Sequence, residues 1–262
     1  RSVLTGDLYQ FKQEDIDKLI RSLETQYVTT MGAGVSLING DIPHDEEWYR
    51  NHDTKWEYWE DYETHLIQQG WPMRVVKSIN SVTDRILGLL QDPVEEGTWE
   101  RKGLVIGHVQ SGKTANYIGL VTKAADAGYK FIIVIAGIHN NLRTQTQERV
   151  DQGFIGRDSA TRQIIGVGQR RRNRPMPVTV TTTENDFNKA LAKRFVMDLK
   201  SLNNTFILVV KKNVSTLSSL YNWLKDLNTR EELEKIADIP MLLIDDEADN
   251  ASVNTNKPEL AP

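Results

Sequence analysis

An eight-residue stretch of the chain has the residue types and the spacing of a phosphate-binding loop. Residues 107–114 read GHVQSGKT, which fits the pattern G-x-x-x-x-G-K-[ST] without a mismatch. Glycine at the two fixed positions lets the backbone curl, so that successive N–H groups point inward at phosphate oxygens. The residues expected to line the phosphates in this way are Gly107, Gln110, Ser111 and Gly112.

The last two residues of this motif, Lys113 and Thr114, have side chains suited to a magnesium-bound nucleotide. The Lys113 ammonium can reach the β- and γ-phosphates, and the Thr114 hydroxyl can bind Mg²⁺. An apolar run, Gly103–Ile106, precedes the motif, and a helical pattern begins at Lys113, so we expect the positive end of a helix dipole at the phosphates. The sequence therefore predicts a site for ATP and Mg²⁺. A plain glycine-containing turn is the competing interpretation.

A second candidate set is acidic and follows another apolar run. Met241–Ile244 leads directly into Asp245, Asp246 and Glu247. Carboxylates at the carboxyl end of a buried strand lie where open α/β sheets bind ligands. We assign Asp246 to the metal and Glu247 to the water that attacks the γ-phosphate. Asp245 is a rival for the metal, because the phase of the strand is open, and an acidic turn that caps a helix is the alternative to both.

The elements that must position these residues form an alternating pattern after residue 100. Short runs that are apolar on both sides of the alternation indicate strands buried on both faces; they are Gly103–Ile106, Phe131–Ala136, Val178–Thr182, Phe206–Val210 and Met241–Ile244. Helical patterns follow three of them, near Lys113–Ala127, Asn140–Val150 and Thr216–Leu227. This alternation predicts an α/β fold with a parallel sheet flanked by helices. The polar stretch from Arg157 to Pro177 is expected to be a loop.

The first hundred residues have a different pattern, helical and rich in tryptophan. Apolar residues recur at helical spacing in Ile16–Leu23 and, more strongly, from Trp71 to Leu90. Pro72 fits the first turn of the second helix, and Asp92 with Pro93 fits its end. We therefore predict a mainly helical region over residues 1–100 and an α/β lobe over residues 101–262.

Composition excludes several classes of protein. Hydrophobic residues make up 39% of the 262-residue chain and charged residues 26%, which argues against disorder. The net charge of −4 argues against a generally basic nucleic-acid binder. The absence of cysteine excludes a disulfide framework and a cysteine nucleophile. No apolar run approaches the roughly 20 residues of a membrane span, and no leader opens the chain, so we expect a cytoplasmic protein without a membrane partner. Because the chain begins at Arg1, we also expect a piece of something longer.

Three blocks of sequence resemble a known family. They are GLVIGHVQSGKTANYIGL, DAGYKFIIVIAGIHNNLRTQTQERV and LLIDDEADNASVNT, and the earlier stretch WEYWEDYETHL fits the same resemblance. The chain resembles the first RecA-like lobe of superfamily-two helicase-type ATPases and, more narrowly, the Z-one domain family of proposed endonucleases. The resemblance implies a RecA-like P-loop NTPase core and ATP hydrolysis coupled to work on DNA. It also implies bacterial or phage-conflict defence systems, with nuclease or methyltransferase partners.

Carried over by residue, the resemblance implies that Lys113 and Thr114 match the phosphate-loop positions and that Asp246 and Glu247 match the acidic motif. The threonine-rich motif and the second RecA-like lobe that follow in such enzymes are absent from this sequence. That second lobe is therefore an expected partner. We expect this chain alone to bind nucleotide with turnover near background.

Contacts to nucleic acid are a further expectation. Residues 141–145 occupy the place where related helicases have a strand-binding segment, and residues 170–174 are the only dense basic cluster. Basic side chains add salt-dependent affinity for phosphates. The candidate residues are Asn141, Arg143, Gln145, Arg170, Arg171, Arg172, Lys211 and Lys212. Solvated loop, helix-surface and strand-end roles are the alternatives.

Three functions from different classes stay open. The first is a motor-type ATPase lobe that acts on DNA, and the second is an ATP-driven switch that gates a partner nuclease without translocation. The third, a small-molecule kinase, is disfavoured by the DEAD sequence at residues 246–249. No histidine has zinc-binding spacing, and the E-x-K of residues 100–102 lacks a recognisable acidic partner for nuclease chemistry.

Overall fold

A parallel three-stranded sheet lies between layers of helices in the computed structural model, which describes residues 43–106, 113–170, 174–194, 204–227 and 239–248. The helices are α1 (Glu57–Gln68), α2 (Met73–Leu89), α3 (Lys113–Ala127), α4 (Asn140–Val150), α5 (Lys189–Arg194) and α6 (Val214–Leu227). The strands are β1 (Phe131–Ala136), β2 (Phe206–Lys211) and β3 (Met241–Asp245). A π-helical turn, Asp151–Ile155, continues α4.

The sheet has the order β2-β1-β3, so β1 is the central strand. Phe131 at the start of β1 is in register with Phe206 on one side and with Met241 on the other. Successive side chains of a strand point to opposite faces, and both faces of β1 and β2 are buried. This confirms an α/β fold with a parallel sheet flanked by helices.

Two cores cover the two faces of the sheet. On one face, side chains of the sheet pack with those of α1, α2 and α3, among them Trp59, Val76, Ile118, Ile132 and Ile207. On the other face, they pack with side chains of α5 and α6, among them Phe131, Ala192, Phe206, Leu208 and Trp223. The described part of the helical region, residues 43–100, therefore shares one core with the α/β elements that follow it.

α3 is the layer between the sheet and the two earlier helices, and glycine allows their close approach. A Cβ atom on Gly119 would lie 3.1 Å from Trp59 Cζ3 and 3.2 Å from Thr83 Cγ2. One turn further along α3, the buried Lys123 ammonium donates to Asn80 O at 2.8 Å and forms an ion pair with Asp84. Because a buried charge needs such partners, Lys123 fixes α3 against α2.

The beginning of α1 is capped by a residue of another helix. The side chain of Trp56, at the N-cap position, makes no capping hydrogen bond. Instead the Asp126 carboxylate, near the end of α3, accepts hydrogen bonds from the backbone N–H groups of Tyr58 at 3.0 Å and Trp59 at 2.9 Å. These N–H groups have no partner inside α1, so Asp126 determines where α1 begins relative to α3.

The predicted helices agree with the structure, with small shifts at their ends. α3 and α4 have the predicted bounds, and α6 begins two residues earlier than expected, at Val214. Pro72 is the N-cap residue of α2 and not part of its first turn, because its ψ of 135° is extended. The predicted helix at Ile16–Leu23 lies outside the described residues.

The prediction of a strand at Gly103–Ile106 is wrong. These residues have no regular structure, and the side chains of Leu104 and Ile106 are 74% and 88% exposed. A strand needs a neighbour that supplies backbone hydrogen bonds, and in the described sheet β3 pairs only with β1. The apolar run therefore has strand-forming residues without a strand beside it.

The predicted strand at Val178–Thr182 is reduced to one bridge, which pairs Val178 with Phe206. The reason is competition from threonine side chains. The N–H of Val209 donates to the hydroxyl of Thr181 at 3.0 Å, so a side chain takes the place of a backbone carbonyl along the edge of β2. The expected loop, residues 157–177, contains only a short 3₁₀ turn, Gly166–Gln169, and an isolated bridge between Arg157 and Ile164 among its described residues.

Candidate functional site

Among the described candidate residues, Asp246 and Glu247 lie at the carboxyl end of β3. α3 begins at Lys113, and Asp246 and Glu247 follow the last residue of β3. The N–H of Asp246 donates to the carbonyl of Ile135 in β1 at 3.0 Å, so the backbone pairing of the sheet continues one residue beyond β3. The loop residues Gly107, Gln110, Ser111 and Gly112 lie outside the described part of the chain.

The start of α3 and the acidic segment after β3 meet at this end of the sheet. Burial raises the pKa of the Asp246 carboxyl group, and the neighbouring Glu247 raises it further. The positive charges of Arg149 and Lys113 act in the opposite direction and lower it. The ammonium of Lys113 and the carboxyl group of Asp246 are therefore close enough to interact, although the two residues are far apart in the sequence.

Thr114 is held at the same place by a residue that no sequence motif indicated. The guanidinium of Arg149, in the last turn of α4, donates to the Thr114 hydroxyl at 2.9 Å. The buried Tyr117 hydroxyl also lies beside Thr114 and Asp246, and its burial raises the pKa of Tyr117 well above the ordinary value. The only signal in the sequence at Arg149 is its position near the end of the predicted helix Asn140–Val150.

Asp245, the rival of Asp246, has a different partner. The Lys212 ammonium donates to both carboxylate oxygens of Asp245, at 3.0 and 2.9 Å, and to the backbone carbonyl of Glu247 at 2.6 Å. The side chain of Lys212 is almost fully buried. Asp245 is therefore engaged in an internal ion pair, whereas the Asp246 carboxyl group is within electrostatic range of Lys113.

The Glu247 side chain lies near the carboxyl end of the central strand, β1. Its N–H donates to the Asp245 carboxylate at 3.3 Å, and its side chain passes Gly137, the residue after β1. A Cβ atom on Gly137 would lie 2.5 Å from Leu142 Cδ1 and 3.4 Å from Glu247 Cγ. Glycine at this position therefore leaves room for Leu142 beneath the Glu247 side chain, which is partly exposed.

The oxygen atoms at this site fit magnesium better than a softer metal. The Thr114 hydroxyl and the Asp246 carboxylate are hard oxygen ligands, and Mg²⁺ in proteins is commonly bound by one or two carboxylates together with substrate phosphates. Lys113 and the N-terminus of α3 supply the positive charge that phosphates require. In the residues that can be described, no group of three or more His, Cys, Asp or Glu side chains is arranged to hold a metal ion.

Two of the candidate nucleic-acid contacts are internal, which corrects those expectations. Arg143 is buried, and its guanidinium donates to the carbonyls of Thr182 at 2.8 Å and Thr183 at 2.7 Å. Lys212 is buried in the ion pair with Asp245. Charged groups of this kind are buried only when they are paired or hydrogen-bonded, so both side chains serve the fold and are not exposed to DNA.

The other candidates have mixed environments. The Arg170 guanidinium donates to Glu60 O at 3.0 Å and lies 3.4 Å from the buried Asp61 carboxylate, so it ties its loop to α1. The Lys211 ammonium donates to Asn140 Oδ1 at 2.8 Å. Two residues, Asn141 and Gln145, are exposed on α4. The predicted contacts Arg171 and Arg172 lie outside the residues that the structure describes.

No family model, no curated protein and no solved structure matches the chain. None of the described helices has the length and apolarity that a membrane span requires.

Proposed function

We propose that this chain binds ATP with Mg²⁺ at the carboxyl ends of β1 and β3, as the RecA-like lobe of a helicase-like ATPase. The observation that carries the proposal is the proximity of Lys113 and Thr114, at the start of α3, to Asp246 after β3. A lysine, a hydroxyl group and a carboxylate that meet at a helix N-terminus are the parts that a P-loop NTPase uses.

Each residue has a distinct task in the proposed site. Lys113 neutralises the phosphates as a point charge, and Thr114 and Asp246 would hold the metal. Bound Mg²⁺ would supply neutralisation of the charge that develops on the phosphates. Glu247 orients the attacking water and accepts a proton from it, for which a partly exposed carboxylate beside the metal ligand is well placed.

The acidic pair itself supports a bound cation. Burial raises the pKa of the Asp246 carboxyl group, and the charge of the neighbouring Glu247 raises it further, so the ionised form of Asp246 is disfavoured. A divalent cation bound to Asp246 would favour its ionised form.

Action on DNA rests on the family resemblance and on the exposed side chains of Asn141 and Gln145, which α4 carries from the same end of the sheet. The second candidate, an ATP-driven switch without translocation, is favoured by the internal roles of Arg143 and Lys212. These two cations contact carbonyls and Asp245, and so do not extend a basic track.

Calorimetric titration with Mg-ATP tests the nucleotide site. Lys113→Ala is expected to weaken binding by roughly 100-fold or more, because a charge-assisted phosphate contact is lost. The matched control is Lys77→Ala, which removes one exposed lysine from α2 and leaves the affinity unchanged. The proposal would be contradicted if wild-type protein gave no heat of binding with Mg-ATP. It would also be contradicted if wild type and Lys113→Ala had equal affinities.

DNA binding separates the two versions of the function. A lobe of a motor should bind DNA with an affinity that falls with salt and changes with ATP, and the double variant Asn141→Ala/Gln145→Ala should weaken it. A switch should change its oligomeric state or its partner affinity with ATP, while DNA binding stays at background. Fluorescence anisotropy with labelled single and double strands makes the first measurement.

A further inference from the structure

Arg149 is the feature of the site that the proposed function does not use. Its guanidinium contacts the Thr114 hydroxyl at 2.9 Å, and its charge acts on the Asp246 carboxyl group. It comes from α4, whereas Lys113 and Thr114 come from α3 and the carboxylates follow β3. Arg149 therefore joins the site from a third element.

Two other cations near this end of the sheet have internal partners. Lys212 is paired with Asp245, and Arg143 donates to backbone carbonyls. Arg149 differs, because it is exposed and, among the residues that can be described, the only hydrogen bond of its guanidinium is the one to Thr114. A guanidinium has five N–H donors. One of them binds the neutral Thr114 hydroxyl, so the others can bind an anion.

The contact to Thr114 also conflicts with the metal ligand assigned there. A magnesium ion on the Thr114 hydroxyl and a guanidinium 2.9 Å from the same oxygen would place two cations within a few ångströms of each other. The guanidinium must then turn away. The closest strong anion would be the terminal phosphate beside the metal, and arginine binds phosphates well in two-point geometry.

We propose that Arg149 is a phosphate-binding residue of the nucleotide site, which α4 supplies from within the same chain and which contacts the terminal phosphate of ATP. This inference rests on the proposed function and makes it more specific. It assigns to this chain a second positive charge at the phosphates, in addition to that of Lys113. Such a contact distinguishes ATP from ADP, because the terminal phosphate of ATP is the γ-phosphate, which ADP lacks.

The test compares the affinities of Mg-ATP and Mg-ADP by calorimetry for wild type, Arg149→Ala, Arg149→Gln and Lys113→Ala. We expect Arg149→Ala to weaken Mg-ATP by about 10–100-fold and Mg-ADP by no more than about twofold. Arg149→Gln keeps a side-chain donor for Thr114 but has no charge, so it controls for local folding. Like Arg149→Ala, it should weaken Mg-ATP binding much more than Mg-ADP binding. Arg74→Ala, an exposed arginine on α2, is the matched surface control.

The outcomes are distinguishable. If wild type binds Mg-ATP and Lys113→Ala does not, but Arg149→Ala binds both nucleotides like wild type, the role of Arg149 is wrong and the nucleotide site stands. Equal weakening of Mg-ATP and Mg-ADP by Arg149→Gln would likewise overturn it, since a structural role affects both nucleotides. If wild type binds neither nucleotide, the proposed function and the inference both fail.

Discussion

Lys212 and Asp245 form an ion pair across the end of the central strand. The ammonium donates to both carboxylate oxygens, at 3.0 and 2.9 Å, although Lys212 follows β2 and Asp245 ends β3, and β1 lies between these strands. The pair holds together the carboxyl ends of the outer strands, where the candidate site lies. It also engages Asp245, whereas Asp246 is the carboxyl group whose pKa the positive charge of Lys113 lowers.

Loss of the Lys212 ammonium should destabilise the protein. Lys212→Ala removes the ammonium that binds both oxygens of the mostly buried Asp245 carboxylate, and we expect the free energy of unfolding to fall by about 2–4 kcal/mol. The control is Lys211→Ala, whose ammonium contacts Asn140 at the surface and whose loss should cost less than about 0.5 kcal/mol. Urea unfolding gives both values, and similar values for the two variants would contradict the prediction.

The two adjacent aspartates should differ in their effect on magnesium. Asp246→Asn should abolish the enhancement of ATP binding by Mg²⁺, because the carboxylate proposed to hold the metal is lost. Asp245→Asn should lower stability and keep most of the magnesium effect, because Asp245 is bound to Lys212. Calorimetric titrations with and without Mg²⁺ provide the comparison. The reverse pattern would assign the metal to Asp245.

Glu247→Gln should separate ATP binding from turnover. The amide keeps the size of the side chain beside Gly137 but cannot accept a proton from water. In the protein together with its second lobe we expect unchanged Mg-ATP affinity and a turnover lower by about 100-fold or more. Phosphate release measures the turnover, and unchanged hydrolysis would remove Glu247 from this role.

Asp126 should make stability depend on pH. Burial raises the pKa of this carboxyl group from 3.8 to about 7. A folded-state pKa above the unfolded value means that the stabilising contribution is complete below pH 3.8 and is lost as the pH rises through about 7. Between these pH values the folded protein holds the extra proton.

The variant Asp126→Asn isolates this effect, because it stays neutral and still accepts one hydrogen bond at the start of α1. Relative to wild type, its free energy of unfolding should increase between pH 5 and pH 8 by roughly 2 kcal/mol. Urea unfolding at both pH values measures the difference. A difference that does not change with pH would show that Asp126 does not titrate in this range.

The Thr181 hydroxyl should contribute more to stability than another hydroxyl that is equally buried. It accepts from the Val209 N–H at 3.0 Å and donates to Gln147 Oε1 at 2.8 Å, so Thr181→Val leaves two buried groups without this partner. We expect a loss of about 2–3 kcal/mol. Thr83→Val should cost less than about 1 kcal/mol, because that hydroxyl only donates back to its own helix, at Ile79 O. Equal losses would contradict the prediction.

Local patterns in the sequence were sufficient to predict the helices and strands whose own residues show a helical periodicity or an apolar run. The helical stretch from Lys113 to Ala127 and the buried run Phe131–Ala136 have the predicted bounds, because periodicity and apolar runs are properties of neighbouring residues. The position of the acidic segment after β3, at the end of the sheet where β1 also ends, could also be predicted, since carboxyl ends of parallel strands lie on one side of a sheet.

What could not be predicted depends on partners distant in sequence. Gly103–Ile106 has strand-forming residues, but whether they pair depends on a neighbouring strand. Lys212 and Arg143 are typical surface residues by type, and only their placement against Asp245 and the Thr182 carbonyl makes them internal. Arg149 reaches Thr114 through the packing of α4 near α3, which no spacing rule contains.

The packing of α1 and α2 on α3 has a practical consequence for recombinant work. A shortened chain that starts near residue 100 would look like a sensible ATPase fragment, since it keeps every motif. It would nonetheless expose the apolar side of α3 to solvent, and Lys123 would lose its hydrogen bond to Asn80 and its ion pair with Asp84. Such a fragment should aggregate during purification, and expression trials should retain at least residues 43–99.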